Sequence, residues 1–99
     1  RVSPTEVEEV LYASKRVGEC VAFGVDHPSW GQAIQVIATA PAGTDSLDVA
    51  ALLADCRQRM PAYMVPAGIE VQPGPLPRNP NGKIDRKLLA TAWIEQQQS

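Results

Sequence analysis

Residues Glu19-Cys20-Val21-Ala22-Phe23-Gly24-Val25 fix the architecture of this chain, because large apolar side chains alternate in them with small ones. This period of two predicts a strand that is covered on both faces and lies in the centre of its sheet. Turn-forming residues follow at 26–31, and residues 33–40 are again apolar enough for a strand. The two segments are therefore expected to form a hairpin.

Three helices are predicted around this hairpin. The first begins at Ser3-Pro4-Thr5-Glu6, a capping box with proline at the first helical position, and ends within residues 14–18. The second begins at cap candidates in Thr44-Asp45-Ser46 and ends at Pro61. The third is capped by Asp85 and has a glutamine-rich tail that is expected to fray. Its apolar face is expected to carry Leu88, Leu89, Ala92 and Trp93.

A short third strand at residues 68–72 completes the order α-β-β-α-β-loop-α. Such an order predicts an α+β fold, in which a small, mostly antiparallel three-stranded sheet packs against helices. The chain has 99 residues, of which 44% are hydrophobic, and this is enough for one core and one domain over residues 1–99.

Composition excludes several classes of function. Aromatic residues make up 5% of the chain and the net charge is -2, so nucleic acid is not an expected partner. No apolar run approaches the roughly 20 residues that cross a bilayer, and no leader peptide is recognisable, which favours a soluble, cytoplasmic chain without membrane insertion. Cys20 and Cys56 lack a zinc-binding spacing and are expected to be buried, reduced thiols, so no metal site is predicted. A hydrolase is not expected either, because His27 is the single histidine and no nucleophile motif accompanies it.

Charge is distributed unevenly along the chain. Residues 1–56 hold three basic and eight acidic side chains, a net charge of -5, whereas residues 57–99 hold six basic and three acidic ones, a net charge of +3. The basic half also contains most of the prolines. A shaped loop of positive charge is therefore a candidate anion site, although a solvated basic surface explains the same composition.

The segment Leu76-Pro77-Arg78-Asn79-Pro80-Asn81-Gly82-Lys83 is the most informative part of the basic half. Proline and asparagine suit the central positions of a turn, and Gly82 accepts backbone angles that other residues avoid, so Lys83 is displayed at a tip. With little bulk beside it, this ammonium can approach a phosphate or carboxylate oxygen, and Arg78 and Arg86 add positive charge nearby. A P-loop is excluded because Pro77 stands where that motif needs its first glycine.

Two segments of the chain occur in a characteristic order and separation. Arg1-Val2-Ser3-Pro4-Thr5-Glu6-Val7-Glu8 and, about 70 residues later, residues 76–88 resemble the C-terminal domain of the adenylate-forming enzymes. These are the acyl-CoA synthetases, the adenylation domains of nonribosomal peptide synthetases, and the luciferases. Residues 17–25 with Gly31, and residues 59–66, resemble further segments of that domain, so the resemblance covers essentially the whole chain.

The resemblance implies a mobile lid on a larger N-terminal domain that binds ATP, with Mg²⁺, and a carboxylic acid. Lys83 matches the catalytic lysine, which bridges the substrate carboxylate and the α-phosphate while AMP is attached. Rotation of the lid would then present a face around Arg1 to the acyl-adenylate and to coenzyme A, with Arg1 close to the nucleotide phosphate. Gly82 would leave room for ligand beside Lys83. Arg57 and Arg59 are candidates for the phosphates of coenzyme A, although exposed helix arginines are commonly just solvated.

The acceptor of the acyl group is left open by the sequence. Residues 3–8 and 25–31 resemble the CoA-ligase branch, so the first hypothesis is the lid of an AMP-forming acyl-CoA ligase, an acid-thiol ligase that is inactive as the isolated fragment. Residues 62–67 and 81–86 resemble the peptide-synthetase branch instead, whose acceptor is the pantetheine of a carrier protein. A non-catalytic interaction module is the third hypothesis. The chain starts without methionine, inside a family motif, and is therefore expected to come from a longer protein.

Overall fold

The computed structural model describes residues 3–29 and 31–98. In that part of the chain the elements are, in order, α1 (Pro4–Ala13), β1 (Cys20–His27), β2 (Gly31–Ala38), α2 (Val49–Arg59), a 3-10 turn (Ala62–Met64), β3 (Gly68–Val71) and α3 (Arg86–Gln98). The predicted α+β fold and its order of elements are confirmed. None of the described helices is long and apolar enough to cross a membrane.

The sheet has the order β1-β2-β3. β1 and β2 form the predicted hairpin, antiparallel from the pair Cys20 and Ala38 to the pair His27 and Gly31. β3 runs parallel to β2, so the sheet is mixed but mostly antiparallel. The prediction that β1 is central was wrong, because β2 occupies the centre and β1 lies at an edge. Alternation of large and small residues reports that both faces are covered and carries no information on how many strands flank the segment.

Side chains of α1 shield the open edge of β1. The amide of Cys20 donates to Tyr12 Oη at 3.1 Å, and that hydroxyl donates to the Cys20 carbonyl at 3.2 Å. One turn away on the helix, Glu8 Oε2 accepts from the amide of Ala22 at 2.8 Å. Backbone groups that would otherwise be free to pair with another chain are thus satisfied from within the domain.

Hydrophobic clusters cover both faces of the sheet, as the alternation predicted. On one face Cys20 and Ala22 pack with α1 and α2, for example against Leu11 and Leu52. On the other face lie Val21, Phe23, Ile37, Leu76 and Leu89, the last two from the loop before α3 and from α3 itself. The domain therefore has three layers, with α1 and α2 on one side of the sheet and α3 with its preceding loop on the other.

Both cysteines are buried and free, as predicted. Burial raises the pKa of the Cys20 thiol to about 12, with a smaller contribution from the nearby Glu8 carboxylate. Burial likewise raises the pKa of the Cys56 thiol. No group of three histidine, cysteine, aspartate or glutamate side chains suited to a metal ion occurs within residues 3–29 and 31–98.

The helix caps follow the sequence at two of three positions. Ser3 Oγ accepts from the amide of Glu6 at 3.5 Å, and Asp85 Oδ1 accepts from the amide of Leu88 at 3.1 Å, so both predicted caps are confirmed. For α2 the cap expected within residues 44–46 is replaced by Asp48, whose Oδ1 accepts from the amide of Ala51 at 3.0 Å.

The predicted apolar face of α3 was half correct. Leu89 is 4% exposed, and Trp93 meets the ring of Phe23 edge-on at a centroid distance of 6.0 Å. By contrast, Leu88 is 52% exposed and Ala92 also faces outward, because each precedes a neighbour that packs on the core by one residue and so by about 100° of helix rotation. The glutamine-rich tail, expected to fray, is helical through Gln98.

Candidate functional site

Lys83 belongs to a tight hairpin between β3 and α3. Arg78 and Ile84 form an antiparallel bridge at its base. Above that bridge the amide of Asn79 donates to the carbonyl of Lys83 at 2.8 Å, and the amide of Gly82 donates to the carbonyl of Asn79 at 2.9 Å. These two bonds close the turn that the sequence predicted, with Pro80 and Asn81 at its tip. Lys83 was expected at the tip itself, but it follows directly after the turn and pairs with Asn79 across it.

Gly82 has a positive φ of 84°. This left-handed conformation is strained for most residues with a Cβ atom, and glycine is therefore the residue that fits this backbone best. A Cβ placed on Gly82 would meet nothing within 4 Å, so the space beside the turn is open. The residue thus has a structural role, and the ligand contact expected of it stays a prediction.

The ammonium of Lys83 is exposed. Within the described part of the chain, none of the carboxylates lies within ion-pair distance of it. An exposed, unpaired ammonium on a closed turn is free to contact an anion brought from outside the domain.

Arg78 and Arg86 are both ion-paired, which corrects the expectation that they add free positive charge near Lys83. Arg78 Nη2 pairs with Glu19 Oε2, and Arg86 Nη2 pairs with Glu8 Oε1 at 2.8 Å. The local charge available to an anion at the hairpin is therefore smaller than the count of basic residues indicates.

The peptide group that precedes Lys83 is held at both ends. Its carbonyl, that of Gly82, accepts from Arg78 Nη1 at 2.9 Å, and its amide, that of Lys83, donates to Asn79 Oδ1 at 3.2 Å. The Asn79 side chain also accepts from the amide of Asn81 at 3.0 Å. Asparagine commonly bonds in this way to backbone a few residues ahead, so the Asn-Pro-Asn-Gly sequence carried a signal for this contact.

Glu19, which directly precedes β1, attaches the hairpin to the sheet. Its Oε1 accepts from the amide of Leu76 at 2.8 Å while Oε2 pairs with Arg78. Leu76 is 3% exposed and belongs to the core beneath α3. Sequence reasoning missed Glu19, because 59 residues separate it from Arg78 and no local pattern links them.

The other candidate residues lie away from the hairpin or outside the described part of the chain. Arg57 and Arg59 are exposed in the last turn of α2, where their charge favours the negative end of the helix. Since α2 packs on the opposite face of the sheet, the structure does not bring these arginines together with Lys83. Arg1 lies outside the described residues.

Comparison with known proteins establishes the family. Residues 6–83 match the AMP-binding enzyme C-terminal domain, and the chain belongs to this family. The match ends at Lys83. The resemblance noted from the sequence is thereby confirmed.

Three relatives illustrate the match. Acetyl-coenzyme A synthetase of Stutzerimonas stutzeri is 41% identical over 91 residues, which are 90% of this chain and 14% of that protein. The fatty acyl CoA synthetase of Mycobacterium tuberculosis superposes with a TM-score of 0.81 at 25% identity, over 96% of this chain and 18% of that one. The amide bond synthetase McbA of Marinactinospora thermotolerans gives a TM-score of 0.80 at 29% identity, over 94% and 18%. The chain thus spans less than a fifth of each of these proteins.

Proposed function

We propose that residues 1–99 are the C-terminal domain of an AMP-forming acyl-CoA ligase, and that a larger N-terminal domain binds ATP, with Mg²⁺, and the carboxylic acid. The observation that carries this proposal is the exposed ammonium of Lys83 on a closed turn, with no ion-pair partner among the described residues, in a chain that belongs to the AMP-binding enzyme C-terminal domain family. One free ammonium suits a single contact with a phosphate or carboxylate oxygen. The remaining contacts to nucleotide and acid would come from the N-terminal domain, and the fragment alone is expected to be inactive.

In the first half-reaction the domain would cover the bound substrates and bring Lys83 to the reacting atoms. A carboxylate oxygen attacks the α-phosphorus of ATP, the bond from that phosphorus to the bridging oxygen breaks, and pyrophosphate leaves. Negative charge is shared by the carboxylate and phosphate oxygens during this transfer. A cation fixed between them, with water excluded, stabilises the transition state more than the ground state.

In the second half-reaction the thiol of coenzyme A attacks the acyl carbon of the adenylate, and AMP leaves. We assign this step to a second orientation of the domain, in which Arg1 approaches the nucleotide phosphate and Arg57 and Arg59 face the phosphates of coenzyme A. The separation of α2 and the Lys83 hairpin across the sheet is compatible with such a division, because each face carries its own basic groups.

Coenzyme A is favoured as acceptor by the relatives. Eight curated proteins, 30% to 41% identical to this chain, carry coenzyme A in their names as CoA ligases, synthetases or a synthase. The similarity to an amide bond synthetase indicates that this fold also serves other acceptors. The pantetheine of a carrier protein is the second candidate, because residues 62–67 and 81–86 resemble the peptide-synthetase branch, and a non-catalytic interaction module is the third.

Substitution of Lys83 in the full-length protein tests the proposal. With ATP and a panel of carboxylic acids, Lys83→Ala is expected to slow pyrophosphate release by about 10²- to 10³-fold, the usual cost of one charge-stabilising donor. Transfer to coenzyme A from preformed acyl-adenylate is expected to fall much less. Lys87→Ala is the matched control, since Lys87 is an exposed lysine on the adjacent helix turn. Equal rates of pyrophosphate release in wild type and Lys83→Ala would contradict the role of Lys83, and transfer to a carrier protein in place of coenzyme A would favour the second candidate.

A further inference from the structure

We infer that Arg78 and Glu19 are positioning residues for Lys83, an inference that rests on the proposed function. Neither side chain would touch the substrates. Instead, the two would hold the backbone from which the Lys83 side chain starts, so that its ammonium arrives at one place when the domain covers the substrates.

The first step of the argument concerns the peptide between Gly82 and Lys83. Rotation of this peptide group about its neighbouring backbone bonds would swing the Cα–Cβ direction of Lys83. Arg78 Nη1 holds its oxygen at 2.9 Å and Asn79 Oδ1 holds its amide at 3.2 Å, so both ends of the group are tied. Glycine permits more backbone conformations than any other residue type. The two bonds therefore fix the backbone at Gly82, the residue of the turn that would otherwise vary most.

The second step concerns the anchor of Arg78. A guanidinium presents donors in a planar fork, and here Nη1 binds the turn while Nη2 binds Glu19. The same Glu19 carboxylate accepts from the amide of Leu76, a core residue that is 3% exposed. A continuous path of hydrogen bonds therefore connects the turn carrying Lys83 to the core between the sheet and α3.

The third step separates positioning from stability. The side chains of Arg78 and Glu19 are 48% and 19% exposed, and ion pairs as accessible as this one contribute little to the free energy of folding. Their main effect is then on the orientation of the turn. The rate of adenylate formation is sensitive to the orientation of the turn, because misplacement of a catalytic group by about 1 Å can slow a reaction by about 100-fold.

Arg78→Met in the full-length enzyme removes the bonds of the guanidinium to the Gly82 carbonyl and to Glu19, and leaves an unbranched side chain in its place. We expect pyrophosphate release to slow by about 10- to 100-fold through kcat, with little change in the KM for ATP. Transfer to coenzyme A from preformed adenylate is expected to be unchanged. Hydrogen exchange at the Lys83 amide should accelerate, while the amides of the sheet exchange as in wild type. Arg78→Lys supplies one ammonium in place of the fork and should recover part of the rate.

Two further variants distinguish positioning from a general structural effect. Arg16→Met breaks a comparable exposed ion pair, that of Arg16 with Asp55 at 2.7 Å, on the other side of the sheet, and should leave pyrophosphate release unchanged. In a Lys83→Ala background, Arg78→Met should have no further effect on that rate, because the residue acts through Lys83.

The outcomes separate this inference from the proposed function. If Lys83→Ala slows pyrophosphate release and Arg78→Met does not, the positioning role is wrong while the proposed function stands. Additive losses in the double variant would also overturn the positioning role, as would equal slowing of both half-reactions by Arg78→Met. If Lys83→Ala itself has no effect on pyrophosphate release, the proposed function fails, and the inference fails with it.

Discussion

The hydroxyl of Tyr12 binds both backbone groups of Cys20, accepting from the amide at 3.1 Å and donating to the carbonyl at 3.2 Å. A side chain of α1 thus takes the place that a neighbouring strand would occupy beside β1. Removal of this hydroxyl leaves two part-buried backbone groups without their protein partner.

Tyr12→Phe is expected to lower the free energy of unfolding by about 1–2 kcal/mol, the usual cost of leaving such groups unpaired. Tyr63→Phe is the matched control, since Tyr63 is 58% exposed and its hydroxyl has no comparable contact among the described residues. Urea denaturation of the three proteins measures both effects. Equal stability of the two variants would contradict a structural role for the Tyr12 hydroxyl.

Gly82→Ala is expected to destabilise the domain by about 1 kcal/mol, because alanine disfavours the positive φ of 84° at this position. Asparagine tolerates this conformation better, so Gly82→Asn should cost less. Gly24→Ala serves as the comparison, since an added Cβ there also meets nothing within 4 Å and Gly24 has no positive φ. In thermal denaturation, the melting temperature should be highest for Gly24→Ala, lower for Gly82→Asn and lowest for Gly82→Ala.

Leu89→Ala and Leu88→Ala differ by one residue on α3 and test its packing. Leu89 is 4% exposed and fills the core beneath the helix, whereas Leu88 is 52% exposed. Truncation of a buried leucine costs about 2–5 kcal/mol, and truncation of an exposed one far less. Chemical denaturation of both variants gives the comparison, and similar losses would show that the helix packs through a different face.

Stability is expected to fall as the pH rises above about 9, because of Cys20. Burial raises the pKa of its thiol from an ordinary value of 9.0 to about 12. Between these values the unfolded chain loses the proton while the folded chain retains it, so ionisation favours unfolding. Cys20→Ala should therefore show a smaller loss of stability between pH 8 and pH 10.5 than wild type. In native buffer the wild-type thiol should also react slowly with a thiol reagent, and rapid labelling would contradict its burial.

Local patterns in the sequence were sufficient for most of the secondary structure. The capping serine and Asp85 marked helix starts, and the Asn-Pro-Asn-Gly segment marked the turn at Lys83. Each of these signals acts over three or four residues and involves backbone geometry that few residue types satisfy. For the same reason the family resemblance was visible in two short segments.

Long-range partnerships could not be predicted from one sequence. The edge position of β1 depends on Tyr12 and Glu8, whose side chains replace a strand that the alternation pattern had led us to expect. At the site, counting basic residues overestimated the free charge, since Glu19 pairs with Arg78 across 59 positions of the chain. Such pairs form only after the three layers pack, and no spacing in the sequence encodes them.

The Glu8 carboxylate connects all three layers of the domain. This side chain of α1 accepts from the amide of Ala22 at the edge of the sheet. It also accepts from Arg86 at the start of α3. Because these contacts connect the three layers, we expect the domain to move as one rigid body when it changes orientation. Lys83 and Arg57 lie on opposite faces of that body. Under the proposed function, a site on the N-terminal domain would therefore meet only one of these two residues in each orientation.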